Sequence, residues 1–211
     1  GASTRNAGFA CFGSISEILS DIETMGEEQA WALVEKRMKG IEMLKQRYGS
    51  KALQHKTYGG DELFMQPHLR LFEKSMASLS QVNERLEKIT GQKNCFVEVP
   101  ERIKTFGFSQ TEHIIYNRLE GQIDSGAFMT TLIDTSRKQQ IEIFNGIEVE
   151  TIHSTHSDVE LMIPGGVKMV AKKVVVCTNA FTKKLLPNEE IIPARAQVLI
   201  TEPIANLKIK G

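Results

Sequence analysis

The stretch "KKVVVCTNAFTKKLLP", residues 172–187, decides how the chain is read. Val174, Val175 and Val176 form a short apolar run that suits a buried strand. The run ends abruptly in small and polar residues, Cys177, Thr178 and Asn179. In open α/β sheets, ligands sit outside the carboxyl ends of strands. Small residues at such an end let a cofactor come close to the backbone. An ordinary strand followed by a turn has the same local pattern, and this segment alone does not choose between the two. A short helix is expected at 181–187, then a closing strand over 196–204.

Upstream, the period stays short. "IEIFN" (141–145), "IEVETIHS" (147–154), "DVELMIP" (158–164) and "VKMVA" (167–171) read as strands leading to "KVVVCTN" (173–179). Asn145-Gly146 and Pro164-Gly165-Gly166 mark two of the turns. Before them, "EGQIDSGAFMTTLIDTSRKQ" (120–139) reads as a loop entering a helix, with Asp124 or Ser125 as its cap. "NCFVEVP" (94–100) and "RIKTFGF" (102–108) read as two further short strands.

The first half is dominated by helical periods. In "GEEQAWALVEKRMKGIEMLKQRYG" (26–49), Trp31, Val34, Met38, Ile41, Leu44 and Tyr48 recur at helical spacing. Glu27 and Glu28 suit the positive end of that helix, Lys45 and Arg47 the other, and Gly49 is its stop. "HKTYGGDELFM" (55–65) reads as a strand pair or bulged strand kinked at Gly59-Gly60. A second long helix is expected over 68–90, with Pro67 in its first turn and Gly91 as its end. Leu69, Phe72, Met76, Leu79, Leu86 and Ile89 share one of its faces, a stripe that belongs to a core.

The chain of 211 residues suits one large domain or two small ones. Lys plus Arg and Asp plus Glu stand at 26 each, which argues against a nucleic-acid or anionic-membrane surface. No apolar run approaches the ~20 residues of a membrane span. The N-terminus lacks the basic-then-apolar pattern of a signal peptide. Cys11, Cys95 and Cys177 form no CxxC, so a reducing, cytoplasmic setting is expected, without a disulfide framework or zinc site. His153, His156 and Asp158 read as a solvated turn rather than a metal site. There is no GxSxG, Walker loop or GxGxxG.

"GASTRNAGF" (1–9) has the same small-and-polar character as the end of the valine run. Ser3, Thr4 and Asn6 supply short polar side chains. Ala7 and Gly8 supply approachable backbone, and free amides in such a loop suit phosphate oxygens. A flexible tail is the plainer reading of the same residues.

Taken together, "GASTRNAGF", residues 120–152 and residues 172–201 resemble the FAD-dependent oxidoreductase family that includes D-amino-acid oxidase, glycine oxidase and sarcosine oxidase. The likeness is greatest to its bacterial amine-oxidising members, the gamma-glutamylputrescine oxidoreductases among them. By that resemblance, Ser3, Thr4, Arg5, Asn6, Ala7 and Gly8 form the loop beside the diphosphate and ring system of the flavin. Val149 corresponds to the residue whose backbone meets the adenine, and Cys177, Thr178 and Asn179 to strand-end contacts with the cofactor. Ala196 departs from the glycine that often follows Pro-x-Arg in the family, and Arg195 is not assigned to substrate.

The resemblance implies an α/β (α+β) fold: an incomplete FAD-binding Rossmann-like domain interleaved with a mostly antiparallel substrate-domain sheet and long helices. Residues 1–50 and 126–187 then belong to the cofactor domain, and 51–125 and 188–211 to the substrate domain. Strands near 57–60, 105–108 and 197–202 are expected to share one sheet. The substrate pocket is expected around 58–64, 106–108 and 198–201.

The family's glycine-rich phosphate loop normally precedes "GASTRNAGF", so the chain reads as an internal fragment, inactive by itself and prone to form a homodimer. The implied activity is hydride transfer from an amine or amino acid to FAD, with no metal, no nucleic acid and no catalytic residue assigned. The alternative is a non-catalytic α/β binding or protein-interaction module.

Overall fold

The computed structural model describes residues 2–193, 197–199, 201, 202 and 204–209. They fall into two compact units, Gly1–Thr135 with Ile200–Gly211, and Ser136–Leu199.

The first unit opens with a 3-10 turn, Ala2–Thr4, and strand β1, Phe9–Ala10. Helix α1 follows at Ile15–Met25. Its start is a capping box in which the Ser14 amide donates to Glu17 Oε2 at 2.9 Å and the Glu17 amide to Ser14 Oγ at 3.3 Å. Helix α2, Glu27–Tyr48, carries the first expected stripe and ends at Gly49. A single turn, α3, Ser50–Leu53, leads to β2, Gly60–Phe64. Pro67 sits in the 3-10 turn Gln66–His68, from which α4, Leu69–Thr90, continues to its stop at Gly91. Strand β3, Phe96–Glu98, helix α5, Glu101–Phe106, and strands β4, His113–Asn117, and β5, Gly121–Gln122, complete the series.

Strands β2, β4 and β3 form an antiparallel sheet in that order. The register sets Glu62 opposite Ile115 and Phe96 opposite Asn117. Side chains alternate along a strand, so Phe64, Ile115 and Phe96 share one face. That face meets Ile15 and Ile18 of α1, Trp31 and Val34 of α2, and Val82 and Leu86 of α4 in one core. Asn83 fastens the edge strand: it donates to the Phe96 carbonyl at 2.9 Å and accepts from the Phe96 amide at 2.9 Å. Strand β1 pairs with β5 in a separate two-stranded sheet.

Helix α6, Ser125–Lys138, starts where a loop into a helix was expected. Of the two candidate caps, Asp124 takes the role: its Oδ1 accepts from the Ala127 amide at 2.8 Å. Asp124→Ala is therefore expected to destabilise the protein by about 1 kcal/mol. A urea melt followed by circular dichroism checks this; an unchanged midpoint contradicts it.

The second unit contains a three-stranded meander, β6 (Thr151–Ser154), β7 (Val159–Ile163) and β8 (Val167–Ala171). The Pro164-Gly165-Gly166 turn joins the last two, with φ of 87° and 75° at its glycines. The β6–β7 turn is closed by the Thr155 amide on the Asp158 carbonyl at 2.8 Å, and His156 lies in it. Among the described residues, no group of His, Cys, Asp and Glu is placed to hold a metal ion. The short helix expected after the valine run is α7, Thr182–Leu185, preceded by a 3-10 turn, Asn179–Phe181.

Three sequence expectations are corrected. Residues 102–108 are not a strand, because Glu101–Phe106 is helical. Pro100 at its start and Gly107 at its end, with φ 78° and its amide on the Ile103 carbonyl, are local helix signals that outweigh the alternation. Consequently 105–108 joins no sheet, and β2 pairs with β4 instead.

Residues 141–145 and 173–178 carry no ladder among the described residues. A strand is completed by its neighbour, and among the described residues none pairs with them. The closing strand at 196–204 includes Ala196, Ile200 and Pro203, which lie outside the described residues, as do Ala194 and Arg195; the described part carries no strand. Helix α1 was not expected at all. Among the described residues, no helix is long and apolar enough to cross a membrane.

Candidate cofactor-binding site

The sequence-assigned residues lie in two clusters. The first is the loop before β1. Ser3, Thr4, Arg5 and Asn6 are exposed, Ala7 is half-buried and Gly8 is buried. Asn6 shapes this loop from within. Its Nδ2 donates to the Ser3 carbonyl at 2.8 Å, and its Oδ1 accepts from the Gly8 amide at 2.8 Å. The short polar side chain that sequence reading offered to a phosphate is thus used to hold the turn. Gly8 has φ 72°, and its carbonyl accepts from the Ile123 amide at 2.8 Å, which starts the β1–β5 pairing.

The second cluster is a cavity of about 610 Å³ in the second unit. The register of the meander puts Ile152 beside Leu161, and both line it. Opposite partners come from residues 174–178 and from Phe181 and Leu185, one helical turn apart. Val149, Cys177 and Thr178 all line this cavity, whereas Asn179 does not. Asn179 instead has φ 47° and opens the 3-10 turn. Thr178 steadies that turn, its carbonyl accepting from the Phe181 amide at 3.0 Å and its Oγ1 lying 3.1 Å from Thr182 Oγ1.

Phe181, Lys184 and Glu148 complete the lining and were not foreseen. The Lys184 ammonium lies 5.5 Å from the Phe181 ring centre and 3.8 Å from Glu148. The i, i+4 spacing of Phe181 and Leu185 was the signal that could have found this face.

The backbone groups of Val149 and of residues 174–177 make no hydrogen bond among the described residues. The cavity offers a mostly apolar lining with a few polar side chains. Such a lining suits a flat ring with polar edges, which is what the adenine of a dinucleotide presents. The residues present thus fit one end of FAD.

The family model described as "FAD dependent oxidoreductase" matches residues 1–210, and the chain belongs to that family. No curated protein matches the sequence.

Among solved structures, glycine oxidase from Geobacillus kaustophilus is similar at 20% identity and a TM-score of 0.57, over 88% of this chain and 47% of that one. An L-amino acid deaminase from Proteus vulgaris, lacking its specific insertion sequence, has a TM-score of 0.59 at 12% identity, over 88% of this chain and 45% of that one. The L-amino acid deaminase from Proteus myxofaciens, in complex with anthranilate, has a TM-score of 0.56 at 11% identity, over 88% and 39%. The chain spans less than half the length of each of these structures. The likeness establishes the fold: mixed α/β with antiparallel sheets and long helices, of the Rossmann-like FAD-dependent kind.

Proposed function

We propose that the whole protein is an FAD-dependent oxidoreductase acting on an amine or amino acid, and that these residues hold parts of its cofactor. The observation that carries this reading is the apolar cavity lined by Val149, Cys177 and Thr178, in a chain of this family. Glycine oxidase and L-amino acid deaminase among the similar structures favour the substrate class.

The bound flavin supplies the hydride acceptor. Val149 and residues 174–178 take the adenine end with main-chain groups and apolar side chains. Residues 3–8 form the loop for the diphosphate side, with Arg5 as its cation and Asn6 as its brace. In the same reading, residues 1–50 and 126–187 belong to the cofactor domain, and 51–125 and 188–211 to the substrate domain. A cytoplasmic setting goes with it. So does association between copies of the 211-residue chain, through exposed apolar residues such as Met43 on α2, which is 67% exposed.

The test is made in the full-length protein. Replacing Ser3, Asn6 and Thr178 together by alanine removes three polar side chains worth about 1 kcal/mol each, roughly a hundredfold in FAD affinity. Flavin fluorescence released on denaturation reports occupancy. Equal flavin content in both proteins sinks the site assignment while leaving the family intact.

A further inference from the structure

Between β2 and the start of α1, the first unit gathers a group of half-buried carboxyls, Asp61, Glu62 and Glu120, that the cofactor reading does not use. Glu62 on β2 reaches the start of α1. Its Oε1 accepts from Ser14 Oγ at 3.1 Å and from Ser16 Oγ, at the N-terminus of α1, where the helix dipole favours negative charge. Its other oxygen, Oε2, is buried with no hydrogen-bond partner.

Glu120 lies in the turn between β4 and β5. A side chain added at Gly60 would put its Cβ 2.3–2.4 Å from the Glu120 carboxyl, so the bare backbone of Gly60 makes the slot for it. Gly60 and Glu62 alternate onto one face of β2, and Asn117 stands opposite Gly60.

Asn117 is the third party. It is 3% exposed, and its Oδ1 accepts from the Leu119 amide at 3.0 Å. Its Nδ2 is buried with no hydrogen-bond partner. Glu120 thus lies over Gly60, on the face that carries Glu62 and Asn117, and on that face Glu62 Oε2 and Asn117 Nδ2 are both unmatched. An ionised Glu120 answers only the donor and leaves the Glu62 acceptor unmatched. A neutral carboxylic acid has one O–H to give and a carbonyl oxygen to accept, and it answers both.

We propose that Glu120 stands in this fold as a neutral carboxylic acid bridging Glu62 Oε2 and Asn117 Nδ2, and that this bridge latches the 118–120 turn onto β2. The surroundings agree. Burial first, then the charges of Glu17 on α1 and of Glu62 and Asp61 on β2, push the Glu120 carboxyl above its ordinary range, and the Asn117 amide works the other way. Cys11 faces the same group, and burial followed by Glu120 and Glu17 pushes its thiol up. The nearby cations are engaged elsewhere, Arg37 on the Phe12 carbonyl at 3.0 Å and Arg102 on Asp61 at 2.6 Å.

The latch positions the N-terminal loop. The Glu120 carbonyl accepts from the Gly59 amide at 2.9 Å, and the next two residues are β5, which pairs with β1 directly after that loop. Glu120 is therefore a positioning residue. This inference is independent of what the loop binds.

The sign of the pH dependence follows from linkage. A carboxyl whose folded pKa is raised binds its proton more tightly in the folded state. Its contribution is complete below the unfolded glutamate value, about 4.3, and is lost as pH rises through the folded value.

The experiment is thermal unfolding of the full chain against pH, for the parent and for Glu120→Gln, which keeps a donor and an acceptor but cannot ionise. The parent is expected to lose stability above about pH 4.3, and the variant to lose much less. A site-labelled carbon NMR titration of Glu120 in the unmutated protein gives a second readout that needs no variant to fold. An upward-shifted titration that returns toward normal in Glu62→Gln supports the bridge. A Glu120 carboxyl titrating in the ordinary range overturns it. So does a Glu120→Gln protein with the parent's pH slope.

Discussion

Gly8→Ala is expected to cost roughly 3 kcal/mol and to detach β1 from β5. Two penalties coincide at this residue. Its φ of 72° is left-handed, which costs an alanine about 1–2 kcal/mol. In addition, the new Cβ would sit 2.4 Å from the Ile123 carbonyl oxygen. That atom belongs to backbone already tied to Gly8 by the 2.8 Å bond from the Ile123 amide, so it cannot rotate away as a side chain would.

Gly91 supplies the matched control. It has the same φ of 72° and nothing within 4 Å of an added Cβ, so Gly91→Ala carries the dihedral cost alone. Urea midpoints of the two variants, with amide exchange at Ile123, separate the terms. Equal destabilisation of the two would mean that the approach of residue 8 to residue 123 is soft. A larger loss at Gly8, with fast exchange at Ile123, would show that the close approach holds the loop.

What was legible in the sequence was local. The two long helices carry their own stripes and stops, and α2 and α4 end at Gly49 and Gly91 as read. The meander was equally plain, because Pro164-Gly165-Gly166 turns the chain whatever lies around it. Helix α1 was missed although Ser14 and Glu17 stand at capping-box spacing. Residues 102–108 were misread because Phe106 and Phe108 alternate as in a strand, whereas the flanking Pro100 and Gly107 are helix signals.

The valine run shows a different limit. Its apolar character was visible, but a ladder depends on a neighbouring strand that the segment does not encode. The candidate site divides the same way. Val149, Cys177 and Thr178 line one cavity. The inward turn of Asn6 and the departure of Asn179 depend on backbone dihedrals that residue type alone leaves open.

Phe96→Ala is expected to cost about 3–5 kcal/mol, the largest loss among single core truncations. The ring is 1% exposed and meets Phe12 edge-on, with centroids 6.0 Å apart at 71°. Its backbone is pinned on both sides by Asn83, so β3 cannot sink to fill the space left behind. A cavity that cannot collapse keeps its full cost. Phe181→Ala is the informative contrast. That ring is 66% exposed, so its removal should change stability by no more than about 0.5 kcal/mol. Yet it lines the cavity assigned to the adenine, and its loss should lower flavin retention in the full-length protein. Denaturation midpoints and released flavin, measured on both variants, therefore pull apart fold and cofactor. A Phe96→Ala protein within 1 kcal/mol of the parent would mean that the core is not organised around β3. A Phe181→Ala protein that keeps all its flavin would remove the cavity from the cofactor site, whatever the family does elsewhere.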